Sequence, residues 1–248
     1  MIDMDRRAAK TLAEDVYRDL REEILTGRLR TGDRLFLSEL AKARGVSLSV
    51  VREAVIRLAS ERLLEAIPQV GFRVRVLSVE DLVDLTRVRI EIETLALRDS
   101  IAGGDLEWEA RLVAAHHALA ATPDATDRGE LSFAWLTRHA AFHEALCAGC
   151  TSRWLLDLRA QLFAASELYR FWIAEMHVEI GPQRFSKVIG QEHKALLDAA
   201  LGRDAEAAAE LIANHLQTTC DVIRANAERL GLASTVEAQV GPTDENGD

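Results

Sequence analysis

The chain has 248 residues, 48% of them hydrophobic and 28% charged, and a net charge of −10. That balance excludes a largely disordered chain and leaves room for two ordinary domains. No apolar run reaches the roughly 18 residues that span a bilayer, the first residues lack a signal-peptide core, and three cysteines make no disulfide framework. A protein of the reducing cytoplasm with no membrane partner is expected. The charge is uneven. Residues 1–76 hold 15 Lys+Arg against 12 Asp+Glu, a net +3, whereas the remaining 172 hold 15 against 28, a net −13. A mildly basic module carried by an acidic domain is a hint of nucleic-acid binding.

Thr11 to Leu25 reads as an amphipathic helix, with Leu12, Val16, Leu20 and Ile24 at four-residue spacing. Gly27, Gly32 and Asp33 end it. A short helix is expected around Ser38–Arg44, interrupted at Gly45. A third starts at Ser47 or Ser49, either of which is a good N-cap, and puts Val51, Ala54, Val55 and Leu58 on one core face. Leu63–Ile67 and Phe72–Val76 are β-prone and flank Pro68-Gln69-Val70-Gly71, a hairpin signal. Three helices and a hairpin are the order of a winged helix-turn-helix. From Ser78-Val79-Glu80-Asp81, which has the form of a capping box, the chain reads as helical to about Ala233, in segments of bundle length. The fold class expected is mainly α: a winged helix-turn-helix over 1–76, an all-α bundle over 77–233, and a disordered acidic tail over 234–248.

Gly32-Asp33-Arg34-Leu35, Leu40-Ala41, Gly45-Val46-Ser47, Val51-Arg52-Glu53-Ala54 and Gly71-Phe72-Arg73-Val74 resemble the N-terminal half of GntR-type bacterial transcription regulators. Leu77-Ser78-Val79-Glu80-Asp81-Leu82 and Arg89-Ile90-Glu91-Ile92-Glu93 resemble the start of the FadR-subfamily effector domain, FCD. Phe142-His143, Glu192-His193 and Asn214-His215-Leu216 resemble its later signatures. The resemblance implies a homodimer that binds a palindromic double-stranded DNA operator and answers to a small organic acid.

In a helix-turn-helix the N-terminal part of the second helix enters the major groove, which would present Ser47, Leu48, Ser49 and Arg52 to the duplex. Arg can read guanine O6 and N7 with two hydrogen bonds. Gly71 at the hairpin tip would bring the wing backbone to the minor groove, and Arg34, Arg73 and Arg75 would add charge. The chain departs from the family where Leu48 replaces an Arg that usually follows the helix-opening residue, and where Gln69-Val70 replaces an Arg before the wing Gly. Fewer cations mean weaker phosphate attraction, and Leu48 is suited to a thymine methyl.

His139 and His143 stand at i,i+4 and so share a helical face. His193 and His215 fall on two later helices, and four converging imidazoles would bind a divalent transition metal, Zn or Ni ahead of Mg or Ca. By resemblance, the family's metal-binding members use Asp, a His four later, the His of Glu-His and a late His. Here His139 stands in the Asp position, which removes a negative ligand. His116, His117 and His177 match nothing and read as ordinary partly exposed residues. Arg89 is the candidate effector anchor, a guanidinium able to hold a carboxylate bidentately, with an i,i+4 pair to Glu93 as the plain alternative. Cys147-Ala-Gly-Cys150 has no second pair and reads as two small buried residues. Trp108, Trp135, Trp154 and Trp172 read as packing in the core or a dimer. Three functions follow: a dimeric repressor or activator answering to an organic acid, a regulator for which the metal is itself the signal, and a metal-dependent enzyme. The enzyme has no evident general base and would leave the winged helix unexplained.

Overall fold

The computed structural model describes residues 2–124, 132–175 and 182–229, with side chains described over 12–124, 132–169 and 189–228. The expected acidic tail and His177 lie outside the described residues, as does the side chain of Trp172. The elements run α1 (Ile2–Leu25), β1 (Arg34–Leu35), α2 (Leu37–Arg44), α3 (Leu48–Ser60), β2 (Leu64–Ile67), β3 (Gly71–Val74), then α4 (Val79–Gly103), α5 (Leu106–Ala120), α6 (Phe133–Cys147), α7 (Arg153–Glu175), α8 (Pro182–Leu201) and α9 (Ala205–Arg229). The fold is a winged helix-turn-helix followed by a helical domain.

The four-residue spacing of α1 buries Val16, Leu20 and Ile24 while Leu12 stays exposed. Gly45 ends α2 in the left-handed region at φ +65° and starts the turn to α3. Ser47 is the N-cap of α3, its side chain accepting from the Val50 N–H at 3.4 Å. Val50, Val51, Ala54, Val55 and Leu58 are buried beneath the helix. The wing is antiparallel, with Leu64 opposite Val74 and Ile67 opposite Gly71. Its third strand, β1, has no signal of its own. Two residues are too few to show alternation, and Arg34 and Leu35 pair only with Arg73 and Phe72.

Ser78 caps α4, its hydroxyl accepting from the Asp81 N–H at 3.0 Å. The reciprocal half of the expected capping box is absent among the described contacts. The Asp81 carboxylate instead accepts from Arg75 at 2.8 Å and from the Tyr169 hydroxyl of α7. Arg75 therefore fastens β3 to α4 and is not a wing cation, which corrects the sequence expectation. One apolar core joins the two halves: Leu20, Val51 and Leu58 lie in the same cluster as Leu136, Leu168, Tyr169 and Ile223. A second cluster around Trp108, Leu112, Phe142 and Ile212 fills the far end of the bundle. At that end α4 and α6 come close, since a Cβ on Gly149 would lie 2.5 Å from the Ser100 carbonyl.

Candidate metal centre and nucleic-acid interface

His139 and His143 stand one turn apart on the inner face of α6, His193 on α8 and His215 on α9. Each is at most 3% exposed. One ligand nitrogen from each of the four lies within 4.8 Å of the others. The Nε2 atoms of His139 and His143 are 3.2 Å apart, close to the separation of about 3.3 Å that two nitrogens adopt on one ion with Zn–N bonds of about 2.0–2.1 Å. His215 Nδ1 lies 2.7 Å from the Glu192 carboxylate, which fixes the ring and leaves Nε2 for the cluster, a common outer support of a metal-bound histidine. The donor set is thus all nitrogen, buried and convergent, and it fits a transition metal such as Zn or Ni better than Mg or Ca. The structure brings together the i,i+4 pair on α6 and the two later histidines that the resemblance added to it.

Trp135 stacks on His139 with centroids 4.9 Å apart, and Phe142 packs edge-on to His143 and His193. Phe163 lies 5.9 Å from the His143 ring and carries two guanidinium groups above it, those of Arg89 and Arg159. Arg89 is 4% exposed. It donates through Nε and Nη2 to Glu93 Oε1 at 3.1 and 3.0 Å and through Nη1 to Ser166 at 2.9 Å. This is the i,i+4 pair that the spacing allowed. Arg159 takes the other Glu93 oxygen at 2.7 Å and reaches the His143 carbonyl at 2.5 Å. Two buried cations therefore share one carboxylate behind the imidazoles. Sequence reading missed Arg159, which lies in no motif. It also missed Glu192, whose signal was present as the residue preceding His193.

Cys147 and Cys150 are buried. Burial pushes the Cys147 thiol up to about 12, and the reactive species is the thiolate. Iodoacetamide at pH 8 is therefore expected to leave Cys147 unmodified in the folded protein. Rapid alkylation seen by mass spectrometry would contradict this.

On the opposite domain, Ser47, Leu48, Ser49 and Arg52 are all exposed at the start of α3. The hydroxyls of Ser47 and Ser49 are 2.9 Å apart, and Leu48 is 44% exposed. Arg34 is exposed on β1 directly opposite Arg73, which donates to Glu65 at 2.8 Å. Gly71 is the first residue of β3 and not the hairpin tip, which is formed by Pro68-Gln69-Val70. Its φ of +136° and a Cβ position 2.8 Å from the Leu35 carbonyl explain the glycine by the close approach of β1. Among the described side chains of this domain, most cations are paired to acids, including Arg18, Arg28, Arg44, Arg57 and Arg75. Arg30, Arg34, Lys42, Arg52 and Arg62 have no acidic partner among the described residues. Arg30, Lys42 and Arg62 lie in no motif that the sequence reading singles out.

Among the described residues no helix is long and apolar enough to cross a membrane. The profile of the FCD domain matches residues 84–218, and that of bacterial regulatory proteins of the gntR family matches residues 12–74. The uncharacterized HTH-type transcriptional regulator BphR of Paraburkholderia xenovorans is 37% identical over 87% of this chain and 86% of its own length. The HTH-type transcriptional repressor GlaR of Escherichia coli is 33% identical over 85% of this chain and 94% of its own. The structure of E. coli McbR/YncC superposes with a TM-score of 0.70 at 24% identity, over 86% of this chain and 96% of that one, a likeness of fold. The two sequence relatives carry the names of transcription regulators. With both profiles in the order of the two folded halves, and two full-length relatives above 30% identity, the chain belongs to the GntR family of bacterial transcription regulators, with an FCD effector domain.

Proposed function

We propose that this regulator acts in the cytoplasm as a homodimer on a palindromic operator, and that a small organic acid bound at a metal centre controls its affinity for DNA. The winged helix over 1–76 would read the operator, and the bundle over 77–233 would hold the metal and the effector. The observation that carries this reading is the convergence of His139, His143, His193 and His215 within a buried shell. A dication held by four neutral imidazoles keeps its full charge and so attracts an anion to any remaining coordination position. Arg89 and Arg159 would add to that attraction, offset in part by Glu93, which both contact, and by buried Glu167, which acts on Arg89. Resemblance to GlaR favours repression.

Metal content of untagged protein, measured per chain by mass spectrometry of the digested sample, tests the centre. About one zinc or nickel per chain is expected, falling to near zero in His143→Ala. Absence of metal after reconstitution would refute it. Arg89→Ala is expected to blunt the effector response at least tenfold while operator affinity without effector is retained. An undiminished response would remove Arg89 from the binding machinery. A second reading, in which the ion itself is the signal, is favoured by the donor set. Four protein ligands already complete a tetrahedral site. Operator affinity that follows zinc with no organic acid present would select it.

A further inference from the structure

One flank of α3 carries apolar side chains in the open, on a domain whose DNA-facing surface is expected to be polar and basic. Leu48 opens the helix at 44% exposure, Arg52 follows one turn later, and Ile56, 55% exposed, stands one turn beyond that. Residues four apart share a helical face, so the three form a stripe in which an arginine separates two aliphatic groups. Neither Leu48 nor Ile56 belongs to either apolar cluster of the fold. Core packing therefore does not account for them.

The neighbours of Leu48 narrow its role. Ser47 and Ser49 stand on either side of it, with their hydroxyls 2.9 Å apart. Ser47 also accepts from the Val50 N–H at 3.4 Å. Both hydroxyls are thus engaged within the first turn of the helix, whereas Leu48 projects an isobutyl group with nothing polar to offer a base edge. In the major groove guanine and adenine present N7 and a second polar group, and cytosine presents an amine donor. Pressed against leucine, those groups would lose water without gaining a partner. Thymine alone presents a methyl group there. The N-terminal part of such a helix is the part that enters the groove, which sets Leu48 apart from Ile56, about 12 Å further along the axis.

We propose that Leu48 is a specificity-determining residue of the operator contact, reading a thymine methyl within about two base pairs of a guanine in each half-site. The spacing comes from the helix: four residues advance about 6 Å from Leu48 to Arg52, against a step of roughly 3.4 Å per base pair. The inference rests on the reading of 1–76 as the operator-binding module of a homodimer, and it adds a base and the residue that chooses it. Leu48 carries no charge, so its contribution is independent of salt, unlike that of the cations around it.

The test uses the full-length protein and an operator selected from random double-stranded DNA. Each thymine of the half-site is replaced in turn by deoxyuridine, symmetrically in both halves, which removes the C5 methyl alone. Affinity is read by anisotropy. At one position near a guanine the native protein is expected to bind the deoxyuridine operator about 10-fold more weakly, since one buried methyl group contributes about threefold to fourfold in each half-site. Leu48→Ala is expected to bind the thymine and deoxyuridine operators equally, with the native salt dependence, dimer and thermal midpoint. Leu48→Met and Ile56→Ala should both keep the discrimination. Leu48→Ser serves as the second truncation if the alanine variant disturbs folding. Indifference of the native protein to the methyl at every thymine near a guanine overturns the inference. So does discrimination that survives in a folded Leu48 truncation, or that disappears in Ile56→Ala. Loss of the dimer in Leu48→Ala would make Leu48 an interface residue and overturn it as well. A native chain that selects no operator from random DNA refutes the operator-binding reading and the inference with it, whereas a selected operator without methyl dependence overturns the inference alone.

Discussion

Arg52→Ala is expected to abolish specific operator binding while leaving the homodimer folded. Arg52 is exposed on the first turns of α3, and no acidic partner holds it among the described residues. The buried face of the same helix, Val51, Ala54, Val55 and Leu58, does not include it, so truncation removes no core contact. A bidentate arginine–guanine pair contributes about 1–3 kcal/mol of discrimination, and a palindrome presents the pair twice, which makes the loss about 2–6 kcal/mol per operator. Non-specific binding should largely survive, because it comes from phosphate neutralisation spread over several cations. Anisotropy titration against an operator selected from random DNA measures the first effect, and size-exclusion chromatography verifies the dimer. Unchanged affinity for the selected operator would take Arg52 out of base recognition.

Much of this interface was legible because short-range rules dominate it. Ser47 caps α3 through a local hydrogen bond, and the apolar spacing of the helix leaves Arg52 no other direction than solvent. The wing was less legible. By sequence Gly71 reads as a point of approach to DNA, yet its positive φ and the nearness of Leu35 arise from β1, a two-residue strand that exists only because β3 is there to pair with it. By sequence Arg75 reads as another wing cation, but Asp81 binds it and also accepts from Tyr169. Its partner lies six residues away, but the geometry that joins them is set by α7, far along the chain.

The metal centre divides in the same way. His139 and His143 announce themselves by an i,i+4 spacing, whereas His193 and His215 carry no spacing to them and come together only through the packing of α8 and α9 against the bundle. The charge network behind them was half visible. Arg89 and Glu93 are neighbours on one helix, but Arg159 enters from α7, and nothing in its local sequence distinguishes it from a surface arginine. The same helix makes contacts to the DNA-binding half. Glu167, next to the Ser166 that Arg89 holds, accepts from Arg21 of α1, and Tyr169 donates to Asp81 at the start of α4. Positions 166, 167 and 169 of α7 thus meet the charge network, the winged helix and the segment between the two halves, so a ligand that shifted α7 would have direct contacts through which to reorient the recognition helices.

Glu93→Gln is expected to be the most destabilising of the substitutions considered. Glu93, Arg89 and Arg159 are 1%, 4% and 5% exposed, and removing the anion they share leaves two buried guanidinium groups on either side of a neutral amide. Breaking a buried ion pair on one side costs about 3–5 kcal/mol, which for a chain of this size lowers Tm by about 6–20 °C. The pH dependence has a definite sign. Burial pushes the Glu93 carboxyl up, but Arg159 and Arg89 outweigh it and hold the group below its ordinary value. A depressed folded pKa contributes stability that is full above the unfolded value of about 4.3 and is lost as pH falls through the folded one. The Tm gap between the native chain and Glu93→Gln should therefore be widest above pH 5 and narrow as the pH is lowered towards the acid limit of the fold. Calorimetric scans at successive pH values measure it. A gap that stays constant down that series would mean that Glu93 contributes through packing and hydrogen bonding and not through its charge. An unchanged Tm at neutral pH would mean that the two arginines find other partners, and the buried network would then not hold α4 against α7.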